Sequence, residues 1–175
     1  MDLTEKAELA RKGDKQAFVS LIRTLQQSLY VIARSIVRNN EDSADAIQET
    51  ITKAFTSIHT LKEPAYFKTW IIRILINECN RINRKLKRIS LIPYDLRQTS
   101  YKDEYEHIEL FDIIDELDDQ LRTIVTLFYI EDMSVKDISN VLEISEGTVK
   151  SRLFRARKQL CELVQGEGED KYELS

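Results

Sequence analysis

The chain has 175 residues, 42% of them hydrophobic and 32% charged, with four Gly and two Pro. That length suits one ordinary domain or two small ones. The apolar share excludes wholesale disorder, and so few turn residues argue against sheet-rich folds and for a mostly helical chain. The formal net charge of -4 counts against a nucleic-acid binder only if the charge is evenly spread.

The N-terminal segment is charged and has no apolar run of the kind a signal peptide needs. The first clear helix is Gln16 to Val37, where Phe18, Leu21, Ile22, Leu25, Leu29, Ile32, Ala33 and Ile36 recur at three- and four-residue spacing. Gly13-Asp14 opens it and Asn39-Asn40 closes it. Asp42 to Ile58 reads as a second helix, with Ala46, Ile47, Ile51, Ala54, Phe55 and Ile58 as its apolar stripe. A loop around Pro64 covers Thr60 to Ala65, and a long helix follows from Phe67 to about Ile89. Its greasiest stretch, Ile71 to Ile76, contains Arg73 and is too short to span a membrane.

This third helix concentrates positive charge, with seven bases and one acid between Lys68 and Arg88. Arg73, Asn77, Asn80, Arg84 and Lys87 share one helical face, with Arg81 and Arg88 beside it. Ile71, Ile74, Leu75, Ile82, Leu86 and Ile89 form the opposite face, which is expected to be buried. Cations beside Tyr66, Phe67 and Trp70 suit a single nucleic-acid strand, because cations track phosphates and aromatic rings stack on bases. Asn side chains can hydrogen-bond exposed base edges. The loop Leu61 to Tyr66 is placed to form a pocket for a flipped base. Aromatics at helical spacing also serve as core, so Phe67 and Trp70 carry both readings.

Ser90 to Ser100, containing Pro93, reads as a linker whose polar character continues to Glu106. The second unit begins near His107, with helices at 108–116, 119–130, 135–142 and 146–164. Ser134 and Asp137 have the spacing of a helix cap, and Val135, Ile138, Val141 and Leu142 follow as a stripe. After the break Glu143-Ile144-Ser145, the last helix buries Val149, Leu153, Ala156 and Leu160. Two helices joined so tightly make a helix-turn-helix, whose second helix can enter a major groove. Lys150, Ser151, Phe154, Arg155 and Lys158 face outward. Lys150 and Arg155 suit guanine acceptors, Ser151 either partner, and Phe154 a thymine methyl. Arg152, Arg157 and Lys158 suit phosphates. The final ten residues have no apolar stripe and are expected to be a disordered acidic tail.

By segment, the charge balance is +6 over residues 1–90, -9 over 91–133, +2 over 134–165 and -3 over 166–175. Two basic blocks are therefore separated by an acidic one. The expected fold is all-α: two small helical domains, 1–90 and 107–165, joined by a flexible acidic linker over 91–106. No catalytic, metal or cofactor site is indicated. His59 and His107 fall in different units, Cys79 and Cys161 form no framework, and Asp112, Asp115, Glu116, Asp118 and Asp119 read as a solvated acidic face.

These motifs resemble the extracytoplasmic-function (ECF) sigma factors of bacterial RNA polymerase. Asp45 to Phe55 is similar to the family's core-polymerase-binding helix, Phe67 to Asn77 to its promoter-melting and -10-reading segment, and Leu117 to Ser134 with Glu146 to Arg152 to its -35-reading domain four. The resemblance spans about residues 5–163 and keeps the family's order. Glu143 stands where that family's turn usually has Gly, Asp118 replaces a common Pro, and Leu75 a small residue.

The resemblance implies a non-enzymatic initiation factor. Asp45, Gln48 and Glu49 would dock on core polymerase, while Lys150, Ser151, Phe154 and Arg155 would read the -35 duplex. Tyr66, Phe67, Trp70, Arg73, Asn77, Asn80, Arg81 and Arg84 would hold the melted -10 strand. It also implies an anti-sigma partner, while the lack of a signal-peptide run and of a membrane-length apolar stretch leads to the expectation of a cytoplasmic protein, a monomer when free, with no direct membrane insertion. The linker acids Asp103, Glu104, Glu106 and Glu109 would occupy the polymerase's nucleic-acid channel. A sigma-like decoy that binds only an anti-sigma factor should have lost Lys150, Arg155, Arg81 and Arg84, and a helix-turn-helix repressor leaves the Trp70 helix without a use. Overall acidity suits a factor that binds DNA poorly until polymerase positions it.

Overall fold

The computed structural model describes residues 2–89 and 113–170, with side chains to Val164. The described residues are helical and contain no strand. Contacts divide the chain into two units that part at Ser100 and Tyr101. The residues read as a linker, 91–106, lie outside the described residues, as do 107–112 and 171–175.

The first unit holds four helices: α1 (Leu3–Arg11), α2 (Lys15–Val37), α3 (Asn40–Ser57) and α4 (Phe67–Ile89). Sequence periodicity does not reveal α1, because its buried side chains are only Ala7 and Ala10. Its local signal is a capping box. The Glu5 amide donates to Asp2 Oδ1 at 2.8 Å, and the Asp2 amide donates back to Glu5 Oε2 at 3.0 Å. Gly13 at φ 102° turns the chain, and Asp14 caps α2 by accepting from the amides of Gln16 and Ala17.

Helix α2 is the hub of this unit, packing on α1, α3 and α4. Leu21, Leu29, Ile32 and Ala33 are fully buried along it. It ends where Arg38 takes a left-handed φ of 65°. Asn39, read above as a terminator, also opens α3 by accepting from the Asp42 amide at 2.7 Å, so that helix begins at Asn40, two residues before its expected start at Asp42. The face of α3 against the bundle is small, with Ser43, Ala46, Thr50 and Ala54 buried. Small side chains let α3 and α4 approach closely. Phe55 is instead 47% exposed, resting edge-on against Phe18 at 5.2 Å. The expected loop at 60–65 holds parts of two short 3₁₀ turns, Ile58–Thr60 and Pro64–Tyr66, with Leu61 and Pro64 buried.

Helix α4 buries Ile71, Ile72, Leu75, Ile76 and Cys79. The expected buried face fails at its end, since Leu86 is 43% and Ile89 53% exposed. The apolar spacing continues there, but residues 84–89 are all exposed.

The second unit begins, among the described residues, with a helical turn at 113–115. It continues through α5 (Asp119–Val125), a π-helical turn (Thr126–Ile130), α6 (Val135–Leu142) and α7 (Glu146–Asp170). Asp118 caps α5 through the amides of Gln120 and Leu121, so an acid does the capping where the resemblance has Pro. The single helix expected over 119–130 changes pitch at Thr126, whose carbonyl accepts from the Glu131 amide at 3.0 Å, five residues on. Ile114, Leu117, Leu121, Val125 and Ala156 form one core cluster, with Ile130 and Leu160 packed on its edge. Helix α7 runs to Asp170, past the expected end at 164, so five residues assigned to a disordered tail are helical. Extending an existing helix adds a hydrogen bond per residue without a new nucleation step.

Candidate nucleic-acid interface

The helix-turn-helix is fixed by short polar contacts. The Ser134 hydroxyl accepts from the Asp137 amide at 3.0 Å and opens α6. At the turn, Glu143 adopts φ 56° and ψ 42°, the left-handed region that costs a side-chain-bearing residue about 1–2 kcal/mol. The Ser139 hydroxyl donates to the Ile144 carbonyl at 2.7 Å. Ser145 then caps α7 by accepting from the Thr148 amide at 3.0 Å. Ile138, Val141, Val149, Leu153 and Ala156 are buried between and beneath the two helices.

Outside that seam, α7 presents Lys150, Ser151, Phe154, Arg155, Arg157 and Lys158 as exposed side chains. Phe154 is 66% exposed and therefore not part of the core. Two residues offer less than the sequence suggests. The Ser151 hydroxyl donates to the Thr148 carbonyl at 3.0 Å. Arg152 is half-buried, and its Nε is buried with no hydrogen-bond partner among the described residues.

Beneath this surface, Arg122 is fully buried. Its Nη1 donates to the Leu117 carbonyl at 2.8 Å and its Nη2 to Asp119 Oδ1 at 2.5 Å. It ties the turn before α5 to the helix itself. Asp118 and Asp119, two of the five acids in the acidic face, thus have structural roles as cap and counter-ion.

In the first unit, Tyr66 (61% exposed) stands at the start of α4, and Arg73, Asn77, Asn80, Arg81 and Arg84 are exposed along it. Phe67 does not join them. It is fully buried, with its ring centroid 5.8 Å from that of half-buried Trp70. The expectation that Phe67 touches DNA is therefore corrected: as the first residue of α4 it lies on the side that meets the bundle, whereas Tyr66, one residue earlier, ends the 3₁₀ turn and is exposed.

The lone acid among the seven bases is Glu78, which is buried. It accepts from Arg81 Nε at 2.9 Å and takes the ammonium of Lys53 on α3. Burial pushes its carboxyl up, but hydrogen bonds and charge from Lys53 and Arg81 outweigh that and hold it below the ordinary carboxylate range. Arg81 is thus a surface cation anchored at its base, a relation that helical spacing alone did not single out. Beside it, burial first and then the Glu78 charge push the Cys79 thiol up to about 12.

Asp45, Gln48 and Glu49 are all exposed on α3. Their face is opposite the buried Ala46, Thr50 and Ala54 and is separate from the basic face of α4. Among the described residues no helix is long and apolar enough to cross a membrane.

Residues 21–89 match the family described as sigma-70 region 2, and residues 107–160 match sigma-70, region 4. The RNA polymerase sigma factor SigV of Bacillus subtilis is 32% identical over 151 residues, covering 85% of this chain and 91% of that protein. The ECF RNA polymerase sigma-E factor of Haemophilus influenzae is 31% identical over 185 residues, covering 93% and 96%. Among solved structures, the fold is similar to that of CnrH in complex with the cytosolic domain of CnrY, with a TM-score of 0.70, 24% identity and coverage of 94% and 97%. It is also similar to the sigma factor RpoE in complex with the anti-sigma factor NepR from Bartonella quintana, with a TM-score of 0.73, 23% identity and coverage of 85% and 96%. With two helical units in the order region 2 then region 4, and relatives at this identity along most of the chain, the protein belongs to the sigma-70 family and is an ECF sigma factor, a non-enzymatic protein that directs promoter-specific transcription initiation by RNA polymerase.

Proposed function

We propose that the two units divide promoter recognition between duplex and single strand. The second unit reads the -35 element as duplex through α7. Lys150, Phe154 and Arg155 address base edges, and Arg157 and Lys158 address phosphates, with Arg152 and Ser151 as lesser contacts. The first unit holds the melted -10 strand through Tyr66, Asn77, Asn80, Arg81 and Arg84, with Arg73 and the exposed edge of Trp70 beside them. Stacking and phosphate contact offset the few kcal/mol of unstacking a base without nucleotide hydrolysis. Asp45, Gln48 and Glu49 on α3 dock on core polymerase. The protein acts in the cytoplasm and is a monomer when free, and an anti-sigma partner binds it to keep it inactive; the fold it shares with the RpoE of the NepR complex supports that last point.

The observation that carries this reading is the exposure pattern. Nearly every cationic and Asn side chain assigned to DNA is at the surface, and the aromatic rings that flank them, Tyr66 and Phe154, are also mostly exposed. Run-off transcription with core polymerase on a randomised promoter library tests it. Transcripts that depend on this protein and share two sequence elements are expected; duplex binding and repression without polymerase would favour a repressor instead.

A further inference from the structure

Helix α1 lies outside the span matched to region 2, which starts at residue 21, yet it packs on both 3₁₀ turns that flank the loop at 61–63. Arg11, in its last turn, reaches 50 residues along the chain. Its Nη1 donates to the Leu61 carbonyl at 3.3 Å and to the Lys62 carbonyl at 3.0 Å. Its Nη2 is held by Glu8 Oε2 at 2.9 Å, and Lys12 grips the other oxygen of that carboxylate at 3.0 Å. Those cations, Lys12 first, hold the Glu8 carboxyl below its ordinary range. The loop is short and irregular, so its carbonyls have no ladder to join. Leu61 and Pro64 anchor it inward, while Lys62, Glu63, Ala65 and Tyr66 face out.

We infer that Arg11 is a positioning residue for -10 base selection: from α1, its guanidinium fixes the backbone of the loop that presents Tyr66. The inference rests on the reading above, in which this loop and the α4 face hold the melted strand. Both carbonyls are met by one nitrogen, Nη1, while Nη2 is held by Glu8, so the rigid guanidinium plane sets the position and tilt of the segment relative to α1, which a freely rotating ammonium does not. Arg11 itself touches no base. Its effect is on which base the loop accepts, and Glu8 acts one step further back by orienting Arg11.

The test is holoenzyme assembled from full-length variants and core polymerase, bound to fluorescent single-stranded oligonucleotides randomised through the -10 element. Tyr66→Ala reports on the reading itself, and Arg11→Ala, Arg11→Lys and Glu8→Gln on the inference. Arg11→Ala is expected to flatten the preference at one -10 position about tenfold, the scale of losing charged hydrogen bonds. Preference at the -35 element and affinity for core polymerase should be unchanged. Arg11→Lys should restore part of the preference, and Glu8→Gln should lose a smaller part. If Tyr66→Ala loses the preference while Arg11→Ala keeps it, the inference fails and the reading stands. A uniform loss for all bases, or a parallel loss of polymerase affinity, would make Arg11 a fold residue only and overturn the inference. If neither variant alters the preference, both claims fall.

Discussion

Glu78 and Arg81 sit one helical turn apart on α4, joined by a 2.9 Å hydrogen bond from Arg81 Nε to a carboxylate that is almost wholly buried. The second oxygen of Glu78 takes Lys53 from α3, so one carboxylate binds the helix proposed to meet polymerase to the helix proposed to meet the -10 strand. Arg81 is half exposed, which leaves much of its guanidinium surface for a phosphate while its Nε is committed to the fold.

Acid should therefore loosen the first unit. The Glu78 pKa is lowered in the folded protein, against an ordinary value of 4.5. Its contribution is fully present above the unfolded value and is lost as pH falls through the folded one. Thermal unfolding followed between pH 6 and about pH 3 should show a stability loss confined to the acid end. Glu78→Gln should remove much of that dependence, and an unchanged acid slope in this variant would contradict the assignment.

Arg122→Met should destabilise the second unit by about 2 kcal/mol, since it strands the buried Leu117 carbonyl. Asp119 is exposed enough to find water, so its loss of a partner adds little. Urea unfolding of the full chain checks this. Asp119→Asn should cost clearly less.

Glu143→Gly should stabilise the second unit. Relief of a left-handed side-chain-bearing residue is worth about 1 kcal/mol, less the added freedom of Gly in the unfolded chain. A rise of a few degrees in the corresponding thermal transition is expected at this size. An unchanged or lower midpoint would mean that Glu143's own contacts outweigh its backbone strain.

Phe154→Ala should leave the unfolding midpoint nearly unchanged, because the ring is mostly in solvent. The same change should reduce -35 selectivity in transcription with core polymerase, as should Arg155→Ala, with polymerase affinity intact for both. A large stability loss would show that the ring packs after all.

Thiol labelling should count one reactive cysteine in the native protein and two after unfolding. Cys161 is exposed, whereas Cys79 is buried with its pKa raised to about 12. Rapid native labelling of both would mean that α4 opens readily.

Much of this architecture is written in side-chain spacing. The stripes of α2 and of the helix-turn-helix are long and regular, and Ser134 announces its helix by its own chemistry. Where spacing was silent, the cause is local. Helix α1 buries only two alanines, so no stripe exists to be seen, and its signal is the Asp2–Glu5 capping pair. Phe67 and Tyr66 are adjacent aromatics, and only the position of the helix start decides which one faces the bundle. Leu86 and Ile89 keep the apolar period, but a period says which face they share, not that anything covers it. The hold of Glu78 on Arg81 had a faint sequence signal, one acid among seven bases, but its burial depends on α3 arriving alongside.

Helix α4 is one uninterrupted element of 23 residues. From Arg73 to Arg84 its exposed face advances about 16 Å along a straight axis. A duplex strand winds away from any straight line, whereas an unpaired strand can be drawn along one. At the roughly 3.4 Å step of a stacked strand, that face has room for no more than about five nucleotides. That part of the proposed contact surface is therefore also a ruler, and its length, set by the span of unbroken helix between those two arginines, limits how much of a melted strand this stretch of α4 can hold at once.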